Sequence, residues 1–180
     1  MGKIGLFFAT DTGNTRKIAK LIKKKHFDDG VVDICNFEKA TPEMISEYSA
    51  LIIGTPTLGD GEYPEALEGF LPSLADIDFS GKTIALFGLG DQQEYAHEFV
   101  DALGMFYEEI EDSGAEFIGF WSTDGYEYTS SKADMGDGKF CGLVLDQDNQ
   151  SSLSEERLAT WIAEVKPALL AAAGADSAVA

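Results

Sequence analysis

Cysteine and histidine are scarce in this chain of 180 residues: two of each, Cys35, Cys141, His26 and His97. The cysteines sit far apart in separate β-like apolar runs, without a CxxC or any metal-ligand spacing. Both are expected to be buried thiols with no chemical role, and the isolated histidines argue against a metal site. Basic residues are also few. Thirteen Lys and Arg stand against 32 Asp and Glu, a formal net charge of −19. Such a surface repels nucleic acid and anionic membrane and attracts basic partners. Also missing is any apolar run near the roughly 20 residues that a spanning helix needs. The N-terminus has one Lys, then a short strand-like run and no small-residue cleavage site. No signal peptide is expected, and the cytoplasm is the expected compartment.

What is present suits one globular domain. The apolar fraction is 44%, and 12 Phe, six Tyr and two Trp argue against disorder despite the acidity. Residues 3–9 form a nearly continuous apolar run, as in a strand buried on both faces of a parallel sheet. A helix follows over residues 15–25, with Ile18, Leu21 and Ile22 on one face and Lys23, Lys24 and Lys25 at its negative end. Residues 31–35 alternate and read as a more peripheral strand. Thr41-Pro42 marks a helix start that runs to about Tyr48. Residues 50–54 and 83–87 are further apolar strands. Leu67, Phe70, Leu71 and Leu74 mark a third helix, and Phe99, Leu103, Phe106 and Ile110 a fourth. A fifth strand is expected at 117–121.

Residues 122–140 then break the rhythm. They are polar, Gly-rich and aromatic without a helix period, and so long a loop is uncommon unless functional or folded as a hairpin. A strand-like run resumes at 141–145, as though the fifth strand were interrupted. A capping box at Ser152 and Glu155 is expected to open a last helix carrying Leu158, Trp161, Ile162 and Val165. Pro167 is expected to kink or end it. Residues 1–169 then make one domain, with a frayed Ala-rich tail over 170–180.

Five strands alternating with helices imply a doubly wound α/β fold, whose ligands lie beyond the C-terminal strand ends. Three loops lie there, over residues 10–15, 55–62 and 88–95. The first, Thr10-Asp11-Thr12-Gly13-Asn14-Thr15, reads equally as a capped βα turn or as an anion site at a helix N-terminus. None of the loops holds a Lys; Arg16, just beyond the first, is the only base nearby. The P-loop lysine is absent, which argues against ATP hydrolysis. Gly88-Leu89-Gly90 is no dinucleotide fingerprint, since Gln93 replaces the third Gly. Leu58, Tyr63 and Tyr95 offer flat or apolar surfaces for a planar ligand. Gly59 and Gly61 let the backbone approach it or change conformation beside it.

Together these residues resemble the flavodoxin family. Thr10-x-Thr12-Gly13-x-Thr15 resembles its FMN-phosphate loop. Thr55-Pro56-Thr57, Gly90-Asp91-Gln92 with Tyr95, residues 121–126, and Asp146-x-Asp148-Asn149-Gln150 resemble its other marks, in the expected order over residues 3–165. An EF-hand reading of residues 146–150 fails, because Ser151 stands where Gly is needed and Arg157 where Glu is. The resemblance implies a five-stranded parallel sheet in the order 2-1-3-4-5, its fifth strand split as in long-chain members. It implies that Thr10, Asp11, Thr12, Gly13, Asn14 and Thr15 hold the FMN phosphate. Thr55, Pro56, Thr57, Leu58, Gly59, Asp60 and Gly61, with Gly90, Asp91 and Tyr95, then enclose the isoalloxazine, Tyr95 on its outer face. Asp146 lies near the ribityl chain or ring edge. The Gly59 carbonyl matches the position that accepts a hydrogen bond from flavin N5 once that nitrogen is protonated. Many members have Trp where this chain has Leu58, so it resembles the nitrogen-fixation-associated branch more, and Glu94 replaces a frequent Gly.

The implied function is a low-potential, monomeric one-electron carrier, not an enzyme. Its partners are basic redox proteins: a flavodoxin reductase or similar donor, and an acceptor such as nitrogenase reductase, in complexes that weaken in salt. The rival reading is an FMN-dependent quinone or nitro-compound reductase on the same fold. In the carrier, Asp60, Glu62, Glu65, Asp91 and Glu94 oppose the charge of a fully reduced, anionic flavin. One carboxylate at about 12 Å and an effective dielectric of about 40 contributes about 0.7 kcal/mol, or about 30 mV for a one-electron couple. Neutralising Asp60, Glu62 and Glu94 together is expected to raise the potential of the second reduction step by on the order of 100 mV. Potentiometric titration of the triple variant checks this.

Overall fold

The computed structural model describes residues 2–179. Strand β1 (Ile4–Phe8) pairs in parallel with β2 (Val32–Asn36) and, on its other side, with β3 (Ala50–Pro56). Next to β3 lies β4 (Thr83–Leu89), and β5 (Glu116–Ile118) follows it. The order is therefore β2-β1-β3-β4-β5, all parallel. All residues of β1 and β4 are buried, as is β3 except for Pro56. Alternate side chains feed two cores. Phe7, Leu51, Ile53, Ile84 and Leu86 enter one; Leu6, Phe8, Ile52, Ala85 and Phe87 enter the other.

Helices α2 (Pro42–Ser46), α3 (Glu65–Phe70) and α4 (Asp101–Ile110) cover the first face through Ile45, Leu67, Phe70, Leu103 and Phe106. Thr41 caps α2 as expected, its Oγ1 accepting from Met44 N at 3.2 Å, with Pro42 at the first turn. The other face belongs to α1 (Asn14–Leu21), extended by a π-turn over Ile22–His26, and to α5 (Ser151–Val179). They bury Ile18, Ile22, Leu158, Trp161, Ile162 and Val165. Each such side chain is worth about 1.5–3 kcal/mol of transfer free energy.

The fifth strand position is shared. β5 pairs with residues 83–85 of β4, and β8 (Leu143–Leu145) pairs with residues 87–89. Between them, β6 (Trp121–Ser122) and β7 (Lys139–Phe140) make a short antiparallel ribbon. The expected fifth strand over 117–121 thus ends at Ile118. Gly119 breaks it at φ +81°, where its carbonyl accepts from Trp161 Nε1 at 2.8 Å and a Cβ would fall 2.5 Å from that nitrogen. The inserted segment packs onto the first core: Tyr126, Tyr128 and Phe140 surround Phe99 with ring centroids 5.4–6.1 Å away.

Several boundaries differ from expectation. α5 runs through Pro167 to Val179, so the tail expected to fray from residue 170 is helical; residue 180 lies outside the described residues. Pro167 and Ala163, four residues before it, are both exposed, so the forfeited backbone bond lies on the solvent side. Beyond it, Leu169 and Ala173 are buried. The helix begins at Ser151, which places Ser152 inside the first turn rather than at the cap. α4 begins at Asp101, so Phe99 precedes it. Cys141 is buried, which pushes its thiol up to about 12, but Cys35 is only half-buried because β2 is an edge strand.

Close backbone approach makes one glycine of the split strand hard to replace. A Cβ on Gly142 would lie 2.2 Å from Leu86 O. Gly142→Ala is expected to cost about 3 kcal/mol. Gly69, exposed within α3 with open space about it, is the opposite case. Gly69→Ala should stabilise by about 0.5–1 kcal/mol. Urea unfolding midpoints check both.

Candidate functional site

Beyond the C-terminal ends of the strands, a cleft of about 320 Å³ opens where the chain order reverses between β1 and β3. All three expected loops meet in it. From the first come Thr10, Asp11, Thr12, Asn14 and Thr15; from the second Pro56, Thr57 and Leu58; from the third Gly90, Asp91 and Tyr95. The remaining wall residues are Leu89, Glu94, Gln147 and Asp148. Gln147 carried no sequence signal, being one polar residue in a loop. Asp148 was legible only as part of the 146–150 motif.

The first loop has the geometry of an anion cradle. Gly13 is the N-cap of α1 at φ +97°, and its N–H donates to Thr10 Oγ1 at 3.0 Å. Its left-handed conformation turns the chain into α1, whose first turn leaves N–H groups without intrahelical partners beside the cleft. Thr15 is 1% exposed, yet its Oγ1 has no hydrogen-bond partner. A buried hydroxyl left unpaired costs about 1–3 kcal/mol, which makes this position suited to a polar ligand group. No Lys or Arg lines the cleft among the described residues; the Arg16 guanidinium instead lies over the Phe8 ring. The donors this loop offers an anion are uncharged hydroxyls and the N–H groups of the first helical turn.

In the second loop, Leu58 N and O pair with Glu62 O and N at 2.8 and 2.7 Å, closing a tight hairpin. Gly59 and Gly61 occupy it at φ +47° and +91°. Gly59 and Asp60 are exposed at the tip, beyond the cleft wall. Thr55 also lies off the wall, buried at the end of β3 with its hydroxyl donating to Pro56 O. Thr57 Oγ1 accepts from Ala102 N at 3.1 Å and so caps α4. Leu58 faces the cleft, whereas Tyr63 packs on the first core, where burial and then Glu109 and Glu108 push its hydroxyl up.

Asp146 corrects an expectation. It is fully buried beneath the wall rather than on it. Its carboxylate accepts from Gln92 N (3.1 Å), Gln92 Nε2 (2.7 Å), Asp148 N (3.1 Å), Asn149 N (3.0 Å) and Asn149 Nδ2 (2.9 Å). A buried carboxylate needs such a complete set of donors. Asp146 therefore ties the third loop to the turn after β8 and has no lone pair to spare for a ligand in the cleft.

Negative charge crowds the same side. Burial works against ionisation of Asp91, but the Glu94 amide, the Asn149 side chain and the Gln93 amide hold its carboxyl below the usual range. Asp148 is pushed up, first by burial and then by Asp91, Asp146 and Glu94. A carboxyl raised in the fold is destabilising once ionised. That penalty is fully present at pH 7 and disappears as pH falls below the unfolded value near 3.9. Asp148→Asn is therefore expected to give a small gain in apoprotein stability at pH 7 and none near pH 3.5; denaturant midpoints at the two pH values test it.

Comparisons with known proteins agree with this geometry. The flavodoxin family profile matches residues 6–161. A flavodoxin of Synechocystis is 49% identical over 169 residues, 94% of this chain and 99% of that protein. A flavodoxin of Klebsiella pneumoniae is 44% identical over 178 residues, 94% of this chain and all of that protein. The crystal structure of Fusobacterium nucleatum flavodoxin bound to flavin mononucleotide superposes with a TM-score of 0.83 at 34% identity, covering 93% of this chain and 98% of that one. The relatives are named flavodoxins, a family of electron carriers rather than enzymes, which disfavours the quinone or nitro-compound reductase reading. With the family profile matched over residues 6–161 and three loops converging on one cleft at the sheet's switch point, the chain belongs to the flavodoxin family.

Proposed function

We propose that the cleft binds FMN non-covalently, with the phosphate on the first loop and the ring between Leu58 and Tyr95. The observation that carries this reading is the buried, unpaired Thr15 hydroxyl at the N-terminus of α1, inside the cleft. FMN, when bound, supplies the one-electron chemistry. The chain supplies the surroundings. Thr10, Thr12 and Thr15 with the first N–H groups of α1 take the phosphate oxygens without a cation. Leu58 and Tyr95 exclude water from the ring faces. Gly59, free of a Cβ at the hairpin tip, would offer its backbone carbonyl as a hydrogen-bond acceptor to the edge of the bound ring. Asp91, Glu94 and Asp148 on the wall, with Asp60 and Glu62 at the rim, oppose added negative charge on the ring and hold its potential low.

In this reading residues 1–169 act as one monomeric FMN domain in the cytoplasm, shuttling electrons between a reductase and an acceptor with basic docking surfaces. Nitrogenase reductase is put forward as an acceptor on the aliphatic Leu58 alone. Removing the Thr15 hydroxyl while keeping its shape tests the phosphate assignment. Thr15→Val is expected to weaken FMN binding by about 2 kcal/mol, roughly 30-fold, and to leave riboflavin binding unchanged. Flavin fluorescence titrations of the apoprotein measure both, and equal losses for the two flavins would place the phosphate elsewhere.

A further inference from the structure

The inserted segment meets the chain beside the cleft at two places: Thr129 N and Ser130 N donate to Ala96 O at 2.8 and 3.0 Å, just beyond Tyr95, and the Gln92 side chain bonds to Glu127 N inside the third loop itself. Gln92 is 5% exposed and stands where the third loop, the turn after β8 and the insertion meet. Its Nε2 donates to Asp146 Oδ2 at 2.7 Å, and its backbone N–H donates to the same oxygen at 3.1 Å. On the other side, its Oε1 accepts from Glu127 N at 2.6 Å. This chemistry admits few substitutes. The carboxylate offers only acceptors and the backbone amide only a donor, so a neutral group carrying both is needed to join them.

Each end of this link is stiff. Toward the cleft, Asp91 Oδ1 accepts from Gln93 N (3.1 Å) and Glu94 N (2.9 Å), and Tyr95 N donates to Asp91 O (3.0 Å). Residues 91–95 are thus one tight turn, and a displacement of Gln92 displaces Tyr95 with it. Toward the insertion, Glu127 follows Tyr126, whose hydroxyl accepts from Trp121 Nε1 (3.0 Å) and donates to Val144 O. The Arg157 guanidinium lies 4.2 Å from the centre of the Tyr126 ring and donates to Gln150 Oε1 at 2.7 Å. The insertion is anchored to β8 and α5 independently of the cleft.

We propose that Gln92 is a positioning residue through which the insertion, together with its backbone bonds to Ala96, braces the Tyr95 wall of the cofactor cleft, which sets how tightly and in what geometry the flavin ring is held. This rests on the FMN reading above. The insertion is then a buttress of the ring site.

Two substitutions separate this from a general contribution to folding. Gln92→Met keeps the volume and removes both partners. FMN binding is expected to weaken about tenfold, the visible circular dichroism of the bound flavin to change, and the Glu127 amide in the apoprotein to exchange faster with solvent. Gln92→Glu keeps the acceptor for Glu127 N but sets a carboxylate against Asp146. The other charged groups on the segments meeting there are Asp91, Glu94, Asp148, Asp124, Glu127 and Arg157. All but Arg157 are negative, so the protonated form of the new carboxyl is favoured in the fold, and that form restores the donor. Relative to wild type at each pH, the Gln92→Glu variant should bind FMN poorly at pH 8 and recover toward pH 5. The proposal is overturned if both variants bind FMN within twofold of wild type, if the deficit of Gln92→Glu is independent of pH, or if the flavin dichroism of Gln92→Met is unchanged. Wild type failing to bind FMN would overturn the cofactor reading and this one together; wild type binding with both variants unaffected would overturn this one alone.

Discussion

Side chains along β1, β3 and β4 are buried on both faces of the sheet, and that constraint governs the rest of the molecule. A strand sandwiched between helices has no surface on which to hold a ligand. Its chemistry is confined to the loops that leave its end. The order β2-β1-β3 makes the chain depart from β1 in one direction and return on the other side, which leaves a gap between the first and second loops. The cleft is that gap, and the third loop and the turn after β8 close its remaining sides.

Charge is distributed unevenly about this cleft. The first loop brings hydroxyls and a helix N-terminus but no cation to the cleft, while the third loop and the turn after β8 bring Asp91, Glu94 and Asp148 close together. A protein of net charge −19 can hold an anionic phosphate only where local dipoles outweigh the global field.

The insertion shows how a polar segment becomes structural. Its aromatic residues pack around Phe99, and Glu127 bonds to Gln92. Asp146 at the centre satisfies its charge wholly with donors from two loops, so the third loop is held from behind by a carboxylate and from the side by the insertion. Buried polar networks of this kind are costly when incomplete and rigid when complete.

Much of this was legible in the residues. Continuous apolar runs reported strands buried on both faces, Thr41-Pro42 reported a cap, and the interruption after residue 122 reported a split strand. Thr10 to Thr15 could be recognised because an anion cradle needs local features: small hydroxyls, a Gly with positive φ and a helix start. What stayed hidden depended on contacts between distant segments. Leu58 and Tyr63 are both apolar residues in one loop, and only the packing of Tyr63 on the first core leaves the cleft to Leu58. Pro167 reads as a helix end until its lost bond is found on the solvent side. The sequence by itself thus determined the sheet and the loops that meet at the cleft, because those are properties of neighbouring residues. Tertiary structure alone decided that Asp146 lies beneath the cleft and that Gln92 joins it to the insertion, because a hydrogen bond across 35 or 54 residues leaves no periodicity to read.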